Sequence, residues 1–273
     1  ETTPPDAKII LPEDNQYLID GKIWYPSEID YIVEVNDLDA GLNSITVEEE
    51  ILNNDGSYEM QSKIIENGVE VDGKYTNFID MNERFTDKVE YQYHIADEGK
   101  YHISLNAEDN AGNDNSDELQ VHIDKENPVI SKFVFGEQED LGSEIAKTTY
   151  GYYFKEETDV RIYVNDPSVT SGINSVTLTL SNIDGTVAKK TVHSTDVQAY
   201  ITDETGEYAV FTIPMGFKGA VVAEVVDNVE HTSGLINADG SIIEDETIHS
   251  STSSINIAED VNITKVDNDN TLL

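Results

Sequence analysis

The sequence predicts an all-β fold: two tandem antiparallel β-sandwich modules followed by the start of a third. Three observations carry the prediction. The chain repeats itself, its apolar residues alternate with a period of two, and no segment shows sustained helical periodicity with caps. Short alternating runs are separated by Asn, Asp and Gly, as at Asn54-Asp55-Gly56, Asp72-Gly73 and Asp184-Gly185, which are hairpin and turn signals. Many short strands without helices lead to sandwiches.

The repeat sets the elements in order. IDYIVEVNDLDAGLNSITV (29–47) matches TDVRIYVNDPSVTSGINSVTL (158–178). Each reads as a strand, then Val-Asn-Asp, a short loop, and Gly-aliphatic-Asn-Ser opening the next strand. Ile29, Tyr31, Val33 and Val35 point one way in the first copy, as do Val160, Ile162 and Val164 in the second. Upstream, Trp24-Tyr25 precedes Asp30 as Tyr153-Phe154 precedes Asp159. Downstream, YHISLNAEDN (101–110) corresponds to GAVVAEVVDN (219–228), aligning Ile103, Leu105 and Ala107 with Val221, Ala223 and Val225. VHIDKENPVISKF (121–133) runs from a last strand through a charged hinge into a new first strand. INIAEDVNITKVD (255–267) repeats that transition, Ile263 and Lys265 echoing Ile130 and Lys132. The expected boundaries are therefore 1–126, 127–258, and 259–273 for the start of a third module. Asp97-Glu98-Gly99-Lys100 before Tyr101 suits a tyrosine corner, in which the hydroxyl bonds back to the chain a few residues upstream. Gly219 stands at the matching position of the second copy, so the corner is expected in the first module only.

Composition excludes whole classes of function. With 55 acidic against 16 basic residues the net charge is −39, so a nucleic-acid partner is excluded, phosphate binding needing a cationic footprint. Anionic membrane surfaces are disfavoured for the same reason, and no run of 18 apolar residues provides for membrane insertion. The acids are spread along the chain, where their repulsion destabilises a compact state unless cations screen or bind it. There is no cysteine, so disulfides, thiolate metal sites and cysteine nucleophiles are out. The two ends read as cuts through a longer chain, with targeting signals expected outside it.

The run Ala107-Glu108-Asp109-Asn110-Ala111-Gly112-Asn113 before a last strand, the Val-Asn-Asp hairpins and the hinges Thr2-Thr3-Pro4-Pro5 and Glu126-Asn127-Pro128-Val129-Ile130 resemble bacterial immunoglobulin-like repeats over nearly the whole chain. The resemblance implies two Ig-like sandwiches of a secreted or cell-surface protein. It also implies a non-catalytic role in adhesion, as a stalk or spacer whose partners are neighbouring Ig-like modules of the same chain. Two other roles stay open: a module binding a host glycan or surface protein, and an accessory domain of a carbohydrate-active enzyme. The Asp- and Asn-rich hinges are also similar to calcium-stiffened cadherin repeats. Here the chain departs from that pattern, because Val266-Asp267-Asn268-Asp269-Asn270 runs into Thr-Leu-Leu.

In a sandwich of this type the loops after the second and sixth strands lie at one pole. That groups Asp37 and Asp39 with Asp109, Asn110, Asn113 and Asp114. The last strand ends at the opposite pole, so Asp124, Glu126 and Asn127 are expected near the equivalent loops of the next module, with Asp166, Asp227 and Asn228. Calcium needs six to eight oxygens, which two loops and a hinge supply while their like charges are neutralised. Asp37, Asp39, Asp109, Asn113, Asp124, Glu126, Asp166 and Asp227 are therefore the candidate ligands of calcium at the module junctions, with Asp227 facing the hinge at 124–127 as the foremost place, and solvated Asx turns are the alternative for the same residues. The pairs Trp24-Tyr25 and Tyr153-Phe154 recur at one position, which points to packing rather than a sugar platform. His94, His102 and His122 fall on three strands of the first module. His102 and His122 alternate with apolar neighbours and are expected to face solvent, without a zinc site. No G-x-S-x-G, H-E-x-x-H or P-loop is present, and the chain is expected not to be an enzyme. Lys63, Lys132 and Lys190 are the strand lysines that an isopeptide cross-link would draw on.

Overall fold

In a computed structural model of the chain, the residues described are 2–66, 88–136, 145–148 and 151–243. The turn at Asp72-Gly73, the last strand expected near 255–258 and the third-module start at 259–273 lie outside them. The fold is all-β, and the chain separates into two compact units, Glu1–Lys125 and Glu126–Leu273.

In the first unit the strands are β1 (Asp6–Ile10), β2 (Tyr17–Ile19), β3 (Lys22–Tyr25), β4 (Ile29–Asn36), β5 (Leu42–Leu52), β6 (Tyr58–Glu66), β7 (Lys88–Ile95), β8 (Gly99–Asp109) and β9 (Asp114–Ile123). One sheet has the order β1-β4-β7 and the other β2-β3-β9-β8-β5-β6. Pairings are antiparallel except β3 with β9, which run parallel through Ile23↔Val121, Trp24↔His122 and Tyr25↔Ile123. The chain leaves the first sheet after β1 and joins the second beside its last strand. The open edge of β1 is held by β9, where the Asp117 carboxylate accepts the Ile9 N–H at 2.7 Å.

In the second unit the strands are β10 (Val129–Phe135), β11 (Ile145–Thr148), β12 (Gly151–Phe154), β13 (Thr158–Asn165), β14 (Ile173–Asn182), β15 (Val187–His193), β16 (Ile201–Thr202), β17 (Glu207–Ile213), β18 (Lys218–Asp227), β19 (Leu235–Asn237) and β20 (Ile242–Ile243). One sheet reads β10-β13-β17-β16. The other reads β11-β12-β18-β14-β15, with β19 also on β18 and β20 on β19.

Alternation explains the core. Residues 29, 31, 33 and 35 of β4 are buried, and so are 103, 105 and 107 of β8; the second unit buries Val160, Ile162 and Val164 against Val221, Ala223 and Val225. The inner faces of both sheets share one apolar cluster in each unit. Each large aliphatic or aromatic side chain so placed contributes about 1.5–3 kcal/mol relative to exposure. Tyr25 and Phe154, the repeated aromatics, are fully buried in their cores, and Trp24 is buried as well, while Tyr153 is exposed.

The corner at Tyr101 forms: its hydroxyl donates to the Asp97 carbonyl at 3.0 Å. Gly219 occupies the matching place for a steric reason. A Cβ there would lie 1.8 Å from the Ser181 carbonyl oxygen, so no side chain fits where β18 meets β14.

One expectation is overturned. His122 does not face solvent; it is buried, with its ring set edge-on against Trp24 at 4.6 Å. Period two does place it on the outer face, but the parallel β3 lays the indole across it. Burial, and then the charges of Lys22 and Lys100, push its pKa down to about 4. His94 is exposed and bonds Asp30 at 2.8 Å, and His102 lies between Glu50 and Glu118 at 3.2 and 3.5 Å. Of the strand lysines, Lys190 donates to the Thr212 carbonyl at 2.9 Å, and Lys132 sits 4.6 Å over the Tyr163 ring. The Lys63 side chain lies outside the described residues.

Candidate functional site: the acidic loop pole of each unit

In the first unit the pole is made by the loop from β4 to β5 and the turn from β8 to β9. Asp37 follows β4 and caps its own loop, one oxygen accepting the N–H groups of Asp39, Ala40 and Gly41 at 2.8–3.2 Å. Asp109 ends β8 and is fully buried. Its Oδ1 accepts the N–H groups of Ala111 and Asn113, and its Oδ2 accepts the Asn113 side-chain amide at 2.7 Å. Burial pushes the Asp109 carboxyl up. The Asn113 side chain, with the N–H groups of Asn113, Ala111 and Gly112, outweighs that and holds it below the usual range. Gly112 supplies the turn's φ of 86°. Asn110 faces the other way. Its N–H donates to the Gly41 carbonyl, and its side-chain amide reaches the Ala40 and Gly41 carbonyls, each at 3.0 Å.

The second unit repeats the arrangement. One Asp166 oxygen accepts the Thr170 hydroxyl at 2.6 Å and the Gly172 N–H at 2.8 Å. Asp227, fully buried, accepts the Val229 and His231 N–H groups through Oδ1, and its Oδ2 meets the His231 ring Nδ1 at 3.1 Å. Asn228 donates from its N–H to the Gly172 carbonyl and from its amide to the Ser171 carbonyl. His231 thus stands where Asn113 does.

The candidate calcium ligands therefore fall into distinct positions. Asp109, Asn113 and Asp227 are engaged in their own turns. Asp39 and Glu126 are exposed, and Asp124 is buried with its N–H on the Tyr25 carbonyl at 3.0 Å. Asp37 and Asp166 differ from all of these. Asp37 is only 6% exposed, and its Oδ2 is buried without a hydrogen-bond partner, as is Oδ1 of Asp166. Asp166 borders a cavity of about 420 Å³ within the second unit, lined also by Asn165, Glu207, Ser131, Thr170 and Thr205, with no Lys or Arg in its wall.

The sequence reading missed two features. Glu49 is buried in the first core and accepts the Tyr31 hydroxyl at 2.7 Å. The second feature is the inward-stitching role of Asn110 and Asn228. The phase of β5 carried the first signal, since Ile45, Val47 and Glu49 share a face.

No protein-family model matches the chain, and no curated protein matches it. Among solved structures, the chain is similar to dimeric latent PorU from Porphyromonas gingivalis, at 13% identity and a TM-score of 0.27, over 88% of this chain and 20% of that one. It is also similar to part of a 1.5-MDa bacterial ice-binding adhesin described for host cell surface retention, at 11% identity and a TM-score of 0.32, over 89% of this chain and 66% of that one. A red sea bream transglutaminase aligns at 7% identity and a TM-score of 0.27, over 90% of this chain and 32% of that one. The chain spans less than two thirds of each of these proteins.

Proposed function

We propose that the chain is a pair of immunoglobulin-like structural modules of an extracellular bacterial surface protein. It serves as a non-catalytic stalk or spacer, with calcium as a structural ion at the acidic loop poles. One observation carries this reading. The clamp of Asp37, Asp109 and Asn110 recurs as Asp166, Asp227 and Asn228, while the residues between them diverge. Duplicated framework with free loops is what a repeating spacer requires. The strand order β1-β4-β7 against β3-β9-β8-β5-β6 supports the immunoglobulin-like reading. The non-catalytic reading is supported by the engagement of the buried pole carboxylates Asp109 and Asp227 in holding turns. Partners on this reading are further modules of the same kind, and a host glycan or surface protein belongs to the alternative.

The test is a binding and stability screen on the purified chain. The expected result is no selective retention on glycan arrays or host matrix proteins, no glycoside or peptide hydrolysis, and a higher thermal midpoint in millimolar calcium. Selective, saturable binding of one glycan would replace the spacer reading with the binding-module one.

A further inference from the structure

The calcium part of that reading leaves open which oxygens bind, and the bond pattern narrows the choice. Each pole has one carboxylate that is only half used. Asp37 gives one oxygen to its loop and keeps Oδ2 buried with nothing donating to it. Asp166 gives Oδ2 to its loop and keeps Oδ1 in the same condition. The two aspartates are equivalent, each following Val-Asn at the end of the first strand of the duplicated run, β4 or β13. A buried acceptor without a partner costs about 1–3 kcal/mol, more when charged. That the same cost recurs at one position in both units points to a missing partner. The neighbouring buried carboxylate of each pole, Asp109 or Asp227, already takes donors from its own turn on both oxygens.

We propose that Asp37 Oδ2 and Asp166 Oδ1 are inner-shell ligands of a hard divalent cation, one ion in each unit, and that Asp109 and Asp227 act as turn caps that shape the pole. In the second unit the cavity beside Asp166 gives room, and its wall offers further oxygen donors in Glu207, the Asn165 side chain and the hydroxyls of Ser131, Thr170 and Thr205. Neither unit by itself brings three carboxylate or imidazole ligand atoms within 4.8 Å of one another among the described residues. The remaining positions then fall to carbonyls, hydroxyls and water, which suits calcium, with its flexible shell of six to eight oxygens, better than zinc.

Asp37→Asn and Asp166→Asn provide the test, because asparagine keeps the carbonyl oxygen that caps the loop and replaces the free one. Calcium binding is counted by titration calorimetry and native mass spectrometry on the whole chain, and thermal midpoints are read in chelator and in millimolar calcium. Wild type is expected to bind two ions, each single variant one and the double variant none. In chelator both variants melt no lower than wild type, which shows that they fold. Asp184→Asn, in an exposed turn, keeps two ions. If wild type binds two ions and both pole variants still bind two, this assignment falls while calcium binding stands. If wild type binds none, the calcium reading falls with it and the spacer reading is untouched.

Discussion

The two units solve one packing problem with different chemistry. Cross-strand register makes Tyr31, Glu49 and Tyr93 of the first unit equivalent to Val160, Leu180 and Phe211 of the second. The first set is polar at the centre of a core: the Tyr31 hydroxyl bonds Glu49, and the Tyr31 and Tyr93 rings stack at 5.3 Å. The second set is apolar throughout. The same frame therefore accepts a hydrogen-bonded cluster or plain hydrocarbon, provided that the set is consistent within itself. A second contrast lies along the last long strand. In the first unit β9 pairs with β8 from Gly99 to Glu108. In the second unit the matching edge of β18 is divided between β12 at residues 218–219 and β19 at residues 222–223.

Exchanging residues between the units breaks the comparison most severely in one direction. Leu180→Glu puts a carboxylate among Val160 and Phe211 with no tyrosine hydroxyl to meet it. The second unit is expected to lose several kcal/mol and to melt first in calorimetry, leaving the first unit's transition in place. Gly219→Ala comes next, at about 3 kcal/mol or more, because the clash is with backbone at 1.8 Å and cannot be relieved by a rotamer. Amide exchange across β14 and β18 reads that loss, and unchanged protection there would refute the steric account. Glu49→Ala should cost the first unit about 3 kcal/mol by removing the buried carboxylate that accepts the Tyr31 hydroxyl, whereas the double change Tyr31→Val with Glu49→Leu recovers part of it; urea midpoints measure both. Tyr101→Phe removes one corner bond and should cost about 1 kcal/mol in the same assay, with no effect on the second unit.

A pH dependence also separates the units. His122 has a folded pKa of about 4 against an ordinary 6.5, so the unfolded chain binds the extra proton. Its neutral, buried form contributes stability in full above about 6.5, and that contribution is lost as pH falls toward 4. No histidine is buried among the described residues of the second unit. Fluorescence of Trp24, the sole tryptophan, should therefore report a fall in the first unit's urea midpoint across this window. His122→Phe should flatten the upper part of the window, where most carboxylates are still ionised, and an unchanged slope would remove His122 from the account.

Much of this architecture was legible because it is local. Alternation gave the buried faces of β4, β8, β13 and β18, and the repeated Asp-Asn marked the turns that the clamp occupies. What escaped depends on neighbours distant in sequence. His122 is hidden by an indole 98 positions upstream, through the parallel pairing of β3 with β9. Glu49 sits inside Glu48-Glu49-Glu50, a run that composition assigns to solvent; only the phase of the strand and a tyrosine on the opposite sheet place it in the core. Spacing groups the pole residues by loop, yet a list of acids does not tell an oxygen already holding an N–H from one holding nothing.

The stitch made by Asn110 and Asn228 has a consequence for how such modules diversify. Its bonds to the facing loop end on main-chain carbonyls at residues 40–41 and 171–172, so it reads the path of that loop and none of its side chains. The facing loop is Asp-Leu-Asp-Ala-Gly in one unit and Asp-Pro-Ser-Val-Thr-Ser-Gly in the other, differing in both length and composition. A fastening that ignores side-chain identity lets new surface chemistry be written into the loop without renegotiating the fold beneath it, which makes the pole a socket for loop grafting.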